Sequence, residues 1–480
     1  MRPTLRGLVT ATALAVCALA ANAQTSPDEG WPAGERVMTK YKAGNYAEVI
    51  AQAPDALRGE PWNHELRLAY ANSLTWSNRE WPAAEQYRML LDTEVGVDAR
   101  LGLANALAWS GRMKESLPHY RLLFATKHAG EAKQGYANAL RWMGRDDLAI
   151  PIYEELRATY PDQEIGKEGL FYSRRAVRPR TTLGIAYNHD NTEMNRSEPI
   201  LSQSWRMADN SILFGIEASD GHDWFAIPAG SGGYPRREYG LRFEALAIPL
   251  EPRLFVSRQE QPDETVAPFA RAELPGRTFG EVRLTLADWP LYVHAGRVNW
   301  GKLGFTPGAQ LAGLEADRYG FEVKYQTEWG EVRAFANHFR IFQGSGPEAL
   351  KYDADNTVNN GDLRLVTRWR PWTREIKPFF GVHLRYSDHT DPLYWSPKKY
   401  ALGYLGLEGE WESRDWNLST AVQGGFKLAG EANTAWLVSV GGKRWLNEDW
   451  AVGFNAFAQS GTRTTNYRAQ GAGVTIEKLW

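Results

Sequence analysis

The sequence predicts an α + β multidomain protein, in which a short N-terminal helical solenoid precedes a transmembrane antiparallel β-barrel of about sixteen strands. Three observations predict this. The first half contains a segment that recurs at a step of 33 residues, for example at 66–78 and 99–111. From about residue 180 the hydrophobic period changes to two. In that second half, short and long connections alternate along the chain.

The N-terminus has the pattern of a secretory signal peptide over residues 1–23. Arg2 and Arg6 precede a short apolar core, and Ala21-Asn22-Ala23 provides small residues for cleavage. The apolar run is too short for a membrane anchor. We therefore expect export across the inner membrane. The only cysteine, Cys17, would leave with the peptide, so the mature chain would have no disulfide and no thiolate metal site.

Composition narrows the function classes. The formal charge of −2 is close to neutral, which makes general nucleic-acid binding an unlikely role. The chain carries 20 Trp and 21 Tyr among its 480 residues. A secreted, Trp-rich chain of low mean hydropathy is compatible with a membrane barrel, because barrel strands present an apolar residue only at every second position.

The first half contains three clear repeats and one partial copy, and we assign residues 24–175 to them. The copies at 66–78, 99–111 and 132–144 are each followed by a second helical stretch, and a weaker copy lies at 40–53. A helix-turn-helix unit of this length resembles the tetratricopeptide repeat. Such units bury their apolar faces only by stacking on their neighbours.

Each clear repeat carries an Asn and a Trp four residues apart on its first helix. This spacing places both side chains on one helix face, which the resemblance to tetratricopeptide repeats makes the concave face. The residues are Asn72 with Trp76, Asn105 with Trp109, and Asn138 with Trp142. They predict a groove that binds a sugar polymer, since an amide suits hydroxyls and an indole suits the C–H face of a sugar ring. Alternatively, the Trp side chains pack between neighbouring repeats.

The second half, residues 180–480, contains about sixteen alternating segments. Most have about ten residues, the length that a tilted strand needs to cross a bilayer. The last segment ends on Trp480, which resembles the terminal aromatic residue of outer-membrane barrels. An even number of strands, closed into a barrel, removes the free edges that hydrocarbon does not tolerate.

The connections between these segments fall into two alternating classes. Short ones include 208–210, 412–415 and 447–449, and Trp residues crowd beside them. Transmembrane barrels have short periplasmic turns, longer outer loops and aromatic girdles. We therefore expect the longer connections on the outside. These are 220–236, 262–277, 301–313, 344–358 and 387–400.

The polar parity of the strands predicts the lining of the barrel lumen. The candidates carry both charge signs, which suits a weakly charged or neutral solute such as a polysaccharide better than a strongly ion-selective pore. They are Glu217, Arg242, Glu244, Glu281, Arg283, Glu322, Lys324, Arg364, Arg368, Arg385, Glu408 and Glu410.

The combination of signal peptide, helical repeats and barrel resembles bacterial exopolysaccharide export porins. The poly-N-acetylglucosamine porin and the outer-membrane subunit of cellulose secretion have this layout. The phrases LANALAWSGR (103–112) and YANALRWMGR (136–145) look like the repeats that precede the YaiO-family barrel. The resemblance implies export of a biofilm polysaccharide. It also implies outer-membrane lipid, the polymer and periplasmic or inner-membrane synthesis proteins as partners, with no cofactor, no nucleic acid and no enzymatic activity.

Other functions remain open at this point. A general outer-membrane channel would have the same polar lumen. A barrel enzyme would need a nucleophile and a base held together; His189, His294, His383, Ser219 and Ser387 lie in or beside strands, but no G-x-S-x-G motif accompanies them. A surface receptor or adhesin would use its long loops, and the acidic segment 353–362 could hold Ca²⁺, although its spacing does not match an EF-hand.

Overall fold

The computed structural model describes residues 32–191, 194–207, 209–227, 230–260, 276–286, 291–304, 307–344, 353, 355–373, 375–463 and 467–480. The predicted signal peptide lies outside these residues. The chain separates into two compact units, one ending at Ala139 and the other running from Leu140 to Trp480. The second unit contains the last helices and all the strands.

Paired helices form the first part of the chain. They are α1 Ala33–Lys42, α2 Tyr46–Gly59, α3 His64–Trp76, α4 Glu80–Arg88, α5 Gly96–Trp109, α6 Met113–Leu122, α7 Ala129–Trp142, α8 Asp146–Thr159 and α9 Lys167–Val177. The turn inside each pair contains one residue with a positive φ angle, namely Gly44, Asn78, Gly111 or Gly144. Glycine, and less readily asparagine, adopts this left-handed conformation, so the recurring sequence position is explained by the turn.

In three of the helix pairs, a tyrosine on the second helix packs against a glycine of the following helix. Tyr87 and Tyr120 are buried, and a Cβ atom added at Gly102 or Gly135 would lie 2.4 Å from the ring of the preceding tyrosine. The same arrangement recurs at Gly169, where an added Cβ would lie 2.3 Å from Tyr153. Glycine at these positions therefore permits the close approach of successive helices. Burial raises the pKa of Tyr153 to about 12.

The tyrosine hydroxyls also bind the repeated asparagines. The Tyr87 hydroxyl donates to Asn72 Oδ1 and the Tyr120 hydroxyl donates to Asn105 Oδ1, both at 2.7 Å. Asn72 Nδ2 in turn donates to the Tyr41 hydroxyl at 3.0 Å. These asparagines therefore fix the helix pairs through partly buried hydrogen bonds, a role that the sequence analysis did not anticipate.

We expect Asn105→Ala to destabilise the repeats more than Tyr120→Phe. The Phe variant loses one hydrogen bond, worth about 1 kcal/mol, whereas the Ala variant leaves a buried hydroxyl unpaired at about 1–3 kcal/mol. Thermal melts followed by helical circular dichroism measure both. Because the double variant removes both partners, its loss should be smaller than the sum of the two single losses. A strictly additive result would contradict the pairing.

Sixteen antiparallel strands form a closed barrel, which confirms the predicted fold class. They are β1 Arg180–Asp190, β2 Asn195–Met207, β3 Ile212–Ile227, β4 Gly230–Ala245, β5 Arg253–Glu260, β6 Arg277–Leu286, β7 Leu291–Asn299, β8 Leu314–Gln326, β9 Gly330–Gln343, β10 Asn356–Thr367, β11 Ile376–Ser387, β12 Tyr400–Glu412, β13 Trp416–Gly430, β14 Ala435–Trp445, β15 Trp450–Ser460 and β16 Arg468–Leu479. Each strand pairs with its sequence neighbours, and β1 pairs with β16.

The C-terminal tryptophan is part of this closure. Trp480 donates its backbone N–H to the Pro179 carbonyl at 2.9 Å and its indole N–H to Thr181 Oγ1 at 2.8 Å. Arg178 donates to the Trp480 carbonyl at 3.1 Å. The start of β1 and the end of β16 therefore lie at one end of the barrel, which we call the short-turn end because it also carries the turns 327–329, 413–415 and 446–449.

The strand register separates an apolar outer face from a polar inner face. Leu183, Leu241, Phe321 and Leu405, among others, expose their side chains on the outside, as do Trp329, Trp369, Trp372 and Trp450 near the short-turn end. Among the described residues, no helix is long and apolar enough to span a membrane.

Two predicted loops are strands. Residues 220–236 lie mostly in the β3–β4 hairpin, whose register runs from Ile212 opposite Ala245 to Ile227 opposite Gly230. Backbone pairing continues there although the hydrophobic alternation stops, and this explains the wrong prediction. In the acidic segment 353–362, β10 begins at Asn356. Residues 356–362 of the segment lie in this strand, whereas Asp353 and Asp355 precede it and residue 354 lies outside the described part.

Candidate functional site

The inner face of the barrel is lined by charged side chains that pair across strands. Arg283 lies 3.1 Å from Glu322, and Arg318 lies 2.9 Å from Glu281. Further pairs are Lys324 with Glu331 at 3.3 Å, Arg333 with Glu408 at 3.0 Å and Lys377 with Glu410 at 2.5 Å. Because opposite charges alternate around the wall, their fields largely cancel beyond the Debye length. Such a lining does not strongly favour anions or cations.

The other predicted lumen residues also lie on the inner face of the strands or at the rim of the barrel. Arg364 stacks over Phe379 at 4.4 Å, and Glu244 lies 3.8 Å from Arg253. Glu217 is opposite Gly240, and Arg242 is opposite Gly215. Arg368 follows β10 and donates to the Thr327 carbonyl at 3.0 Å, which places it at the short-turn end. The remaining candidate, Arg385 of β11, contacts the inner loop that is described next.

We expect cysteines at positions 322 and 364 to react with a membrane-impermeant thiol reagent in the folded protein. In the matched variants Val323→Cys and Leu365→Cys, the thiol would lie on the apolar outer face. Glu322→Cys and Arg364→Cys would place it on the polar inner face. Mass spectrometry of the labelled protein in lipid measures the difference. Equal labelling of the two sets would overturn the assignment of faces.

The described residues of the connection between β7 and β8, 300–304 and 307–313, fold into the barrel, and we call them the inner loop. It contains two short helices, α10 Trp300–Gly304 and α11 Pro307–Leu311. We predicted 301–313 as an outer loop; its described part lies at the end opposite the short turns but folds inward. It contacts inner-face side chains of β2 and β4 on one side and of β9 and β11 on the other. Strands seven apart in a ring of sixteen lie nearly opposite each other, so the inner loop crosses the lumen.

A buried charge cluster anchors one side of the inner loop. Arg196 binds Asp223 through two hydrogen bonds of 2.8 and 3.1 Å. Arg236, which is 0% exposed, donates to Glu198 at 2.9 Å and lies 3.7 Å from Asp223. Three strands of the wall thus hold one compact network of opposite charges.

Lys302 of the inner loop joins this cluster. Its Nζ lies 3.4 Å from Glu198 and also forms a close ion pair with Glu238 of β4. Its backbone carbonyl accepts a hydrogen bond from Arg196 at 3.2 Å. Buried charges are stable only when they are paired, so the cluster and Lys302 depend on each other.

An aromatic cluster anchors the other side. Trp300 is only 2% exposed, and its ring centroid lies 5.0 Å from that of Phe339 in β9 and 5.5 Å from that of Tyr394. Arg385 of β11 stacks over Trp300 at 5.7 Å and over Trp395 at 4.7 Å. Tyr394 and Trp395 belong to the connection between β11 and β12, so this connection also folds inward.

The inner loop therefore narrows a lumen that sixteen strands would otherwise leave wide. The sequence analysis missed Trp300, Lys302, Arg196, Glu198, Asp223 and Arg236. Asp223 and Arg236 fell in a segment taken for a loop, so their strand parity was not considered. A signal was nevertheless present, because Trp300-Gly301-Lys302 places a large aromatic residue and a charge directly after a strand.

The repeated tryptophans lie on the surface of the helical repeats. Trp76 is 51% exposed, Trp109 50% and Trp142 42%. Trp76 also stacks on Tyr41, with ring centroids 5.9 Å apart and planes 7° from parallel. Half-exposed indoles at one repeat position can present flat apolar faces to a ligand. Whether they bind a polymer stays a prediction.

The histidines considered for an enzyme and Ser219 have other contacts, whereas the Ser387 hydroxyl is buried without a hydrogen-bond partner among the described residues. His189 hydrogen-bonds Asn195 at 2.9 Å, and His294 hydrogen-bonds Asn337 at 2.7 Å. His383 lies 3.6 Å from Asp362, and the Ser219 hydroxyl donates to Glu198 at 3.3 Å. Across the part of the chain that is described, no group of three or more His, Cys, Asp or Glu side chains could hold a metal ion.

Comparison with known proteins finds similarity in structure only. No family model and no curated protein matches the sequence. A bacterial polysaccharide outer membrane secretin is 10% identical, with a TM-score of 0.46 over 63% of this chain and 99% of that one. OccAB4 of Acinetobacter baumannii is 11% identical, with a TM-score of 0.36 over 63% of this chain and 98% of that one.

The helical part has neighbours of its own. A crystal structure of MamA is 16% identical, with a TM-score of 0.28, and the match covers 30% of this chain and 82% of that one. All of these identities and scores are low. The likeness therefore concerns the fold alone.

Proposed function

We propose that this protein is an outer-membrane channel of a Gram-negative bacterium that exports a polysaccharide. The observation that carries the proposal is the closed barrel with an apolar outer face and a charge-paired inner face. An apolar outer face suits lipid, and alternating charges suit a long polymer that must pass without being trapped. In this proposal the short-turn end and the helical repeats face the periplasm.

The exposed tryptophans support a polymer rather than a small solute. Trp76, Trp109 and Trp142 recur at a fixed step of the helical repeats, so they offer successive stacking sites to a repeating chain. Weak stacking at each site allows movement along the surface. The repeats would capture the polymer, or a protein of its synthesis machinery, before it enters the barrel.

Reconstitution and export together test this proposal. We expect the purified protein to form ion-conducting channels in planar bilayers, and deletion of its gene to reduce cell-surface carbohydrate while polymer accumulates in the periplasm. Conductance with no change in surface carbohydrate would support the alternative of a general channel. A protein found soluble in the periplasm, without conductance, would contradict the channel itself.

A further inference from the structure

A cationic pocket lies at the short-turn end of the barrel, within the unit that contains the strands. Its volume is about 410 Å³, and it is formed by α8, α9, the residues that lead into β1 and the β14–β15 turn. Five lining side chains are cationic and one is a carboxylate. These are Arg157, Lys167, Arg174, Arg175 and Arg178, with Glu448 as the carboxylate. We call this site the mouth pocket.

Aromatic rings surround one of these cations, Arg175. The Arg175 guanidinium lies 4.2 Å from the ring centroid of Trp445 and 4.9 Å from that of Phe171, and it donates to the Arg414 carbonyl at 3.3 Å. Within the described residues no carboxylate lies within ion-pair distance of it. Burial lowers the pKa of Arg175. An anion beside Arg175 would interact with a cation that has no carboxylate within ion-pair distance. The interaction would be strengthened because the site is partly dehydrated.

Three other cations bind carboxylates that are not among the lining residues. Arg174 lies 2.7 Å from Glu154, Lys167 lies 3.1 Å from Glu164 and Arg178 lies 2.7 Å from Asp449. Arg157 donates to the carbonyls of Gln163 and Pro161. These contacts hold the long side chains in place, so less conformational entropy would be lost when a ligand binds.

One lining residue of the pocket contacts the inner face of the barrel, because Arg175 stacks over Trp445. Trp445 has the inner-face parity of β14, two residues after Lys443, whose Nζ lies 5.7 Å from the Trp445 ring centroid and 2.8 Å from Glu477. A ligand bound to Arg175 would therefore lie beside an inner-face residue of β14, which favours a solute that enters the barrel over a lipid headgroup outside it. The volume lies in the range of about 300–1,000 Å³ typical of small-ligand sites.

We propose that the mouth pocket binds an acidic sugar unit, so that the exported polymer carries carboxylate groups. This inference rests on the proposed export function. The carboxylate would bind Arg174 and Arg175, and the sugar ring would lie against Phe171. Beyond this entrance, the charge-paired wall neither repels nor retains the acidic groups.

Binding of trigalacturonate to the full-length protein in detergent tests the proposal, with its methyl ester as the neutral control. We expect saturable binding of the acid that weakens with salt, and about tenfold weaker binding of the ester or of the variant Arg174→Gln/Arg175→Gln, since one lost charged contact is worth about that much. Arg174→Lys/Arg175→Lys should retain most of the affinity. Arg58→Gln/Lys114→Gln removes two exposed charges from the helical repeats and should change nothing.

Several results would overturn the proposal. One such result is that the ester binds as tightly as the acid. A second is that inorganic phosphate competes as well as trigalacturonate at equal concentration. A third is that the double Gln variant loses bound phospholipid while it still binds trigalacturonate. Heat-modifiability of each variant on gels checks that the barrel is folded. The channel measurements above do not depend on this result, because a conducting exporter of a neutral polymer would pass them and fail here.

Discussion

Trp109→Ala combined with Trp142→Ala should strongly reduce polymer export while the protein remains folded and inserted. Both indoles are about half exposed, so their removal should cost much less than the ~3–5 kcal/mol of a buried Trp. If each contributes about 1 kcal/mol of stacking, the loss of two lowers polymer affinity by more than about tenfold. Secreted carbohydrate per amount of inserted protein measures the effect.

Trp62→Ala is the matched control for this experiment. Trp62 is 70% exposed and lies between α2 and α3, away from the repeated Asn–Trp position. Export by this variant should equal that of the unmodified protein. A large loss of helical stability in the double variant, seen by circular dichroism, would instead favour packing between repeats and remove the basis for a polymer-binding groove.

Trp300→Ala combined with Lys302→Met should open the channel. The change removes a side chain that is 2% exposed, at about 3–5 kcal/mol, and also the cation that joins the inner loop to Glu198 and Glu238. Both anchors of the inner loop are then lost. We expect single-channel conductance in planar bilayers to rise at least about twofold, since a wider lumen carries more ions.

Leu303→Ala is the control in the same segment, because this side chain is 52% exposed. Its conductance should match that of the unmodified channel. If the double variant folds, as judged by heat-modifiability, and conducts like the unmodified protein, the inner loop does not limit the pore. A channel that closes instead would show that the loop holds another segment out of the way.

The fold was predictable from the sequence because the 33-residue repeat of the helices and the two-residue alternation of the strands are both clear. Repeat turns are marked by Gly44, Gly111 and Gly144, and barrel strands are marked by alternation and short turns. The β3–β4 hairpin escaped prediction because backbone pairing holds it together beyond the apolar band. No periodic pattern is needed where side chains do not have to face both lipid and water.

The candidate site was only partly predictable for a related reason. Residues of the inner wall, such as Glu322 and Arg364, can be predicted from local sequence alone, because side chains along a strand alternate between its two faces. The anchors of the inner loop join residues far apart in the chain, as Lys302 and Glu198 illustrate. The hydrogen bond between Tyr120 and Asn105 could not be predicted, because neither residue is unusual in its own helix. The two side chains meet only when the two helices pack together.

The seam between β1 and β16 has a consequence for how the molecule is made. Thr181 bonds to the side chain of a residue 299 positions later, so the ring cannot close until both of these distant segments are present. Contacts of such long sequence separation form slowly. For the proposed outer-membrane channel, the chain would have to remain unfolded until β16 is available to pair with β1. The alternation of apolar and polar residues in the strands also affects the unfolded chain. Because a polar residue follows nearly every apolar one, the unfolded chain is less prone to aggregate.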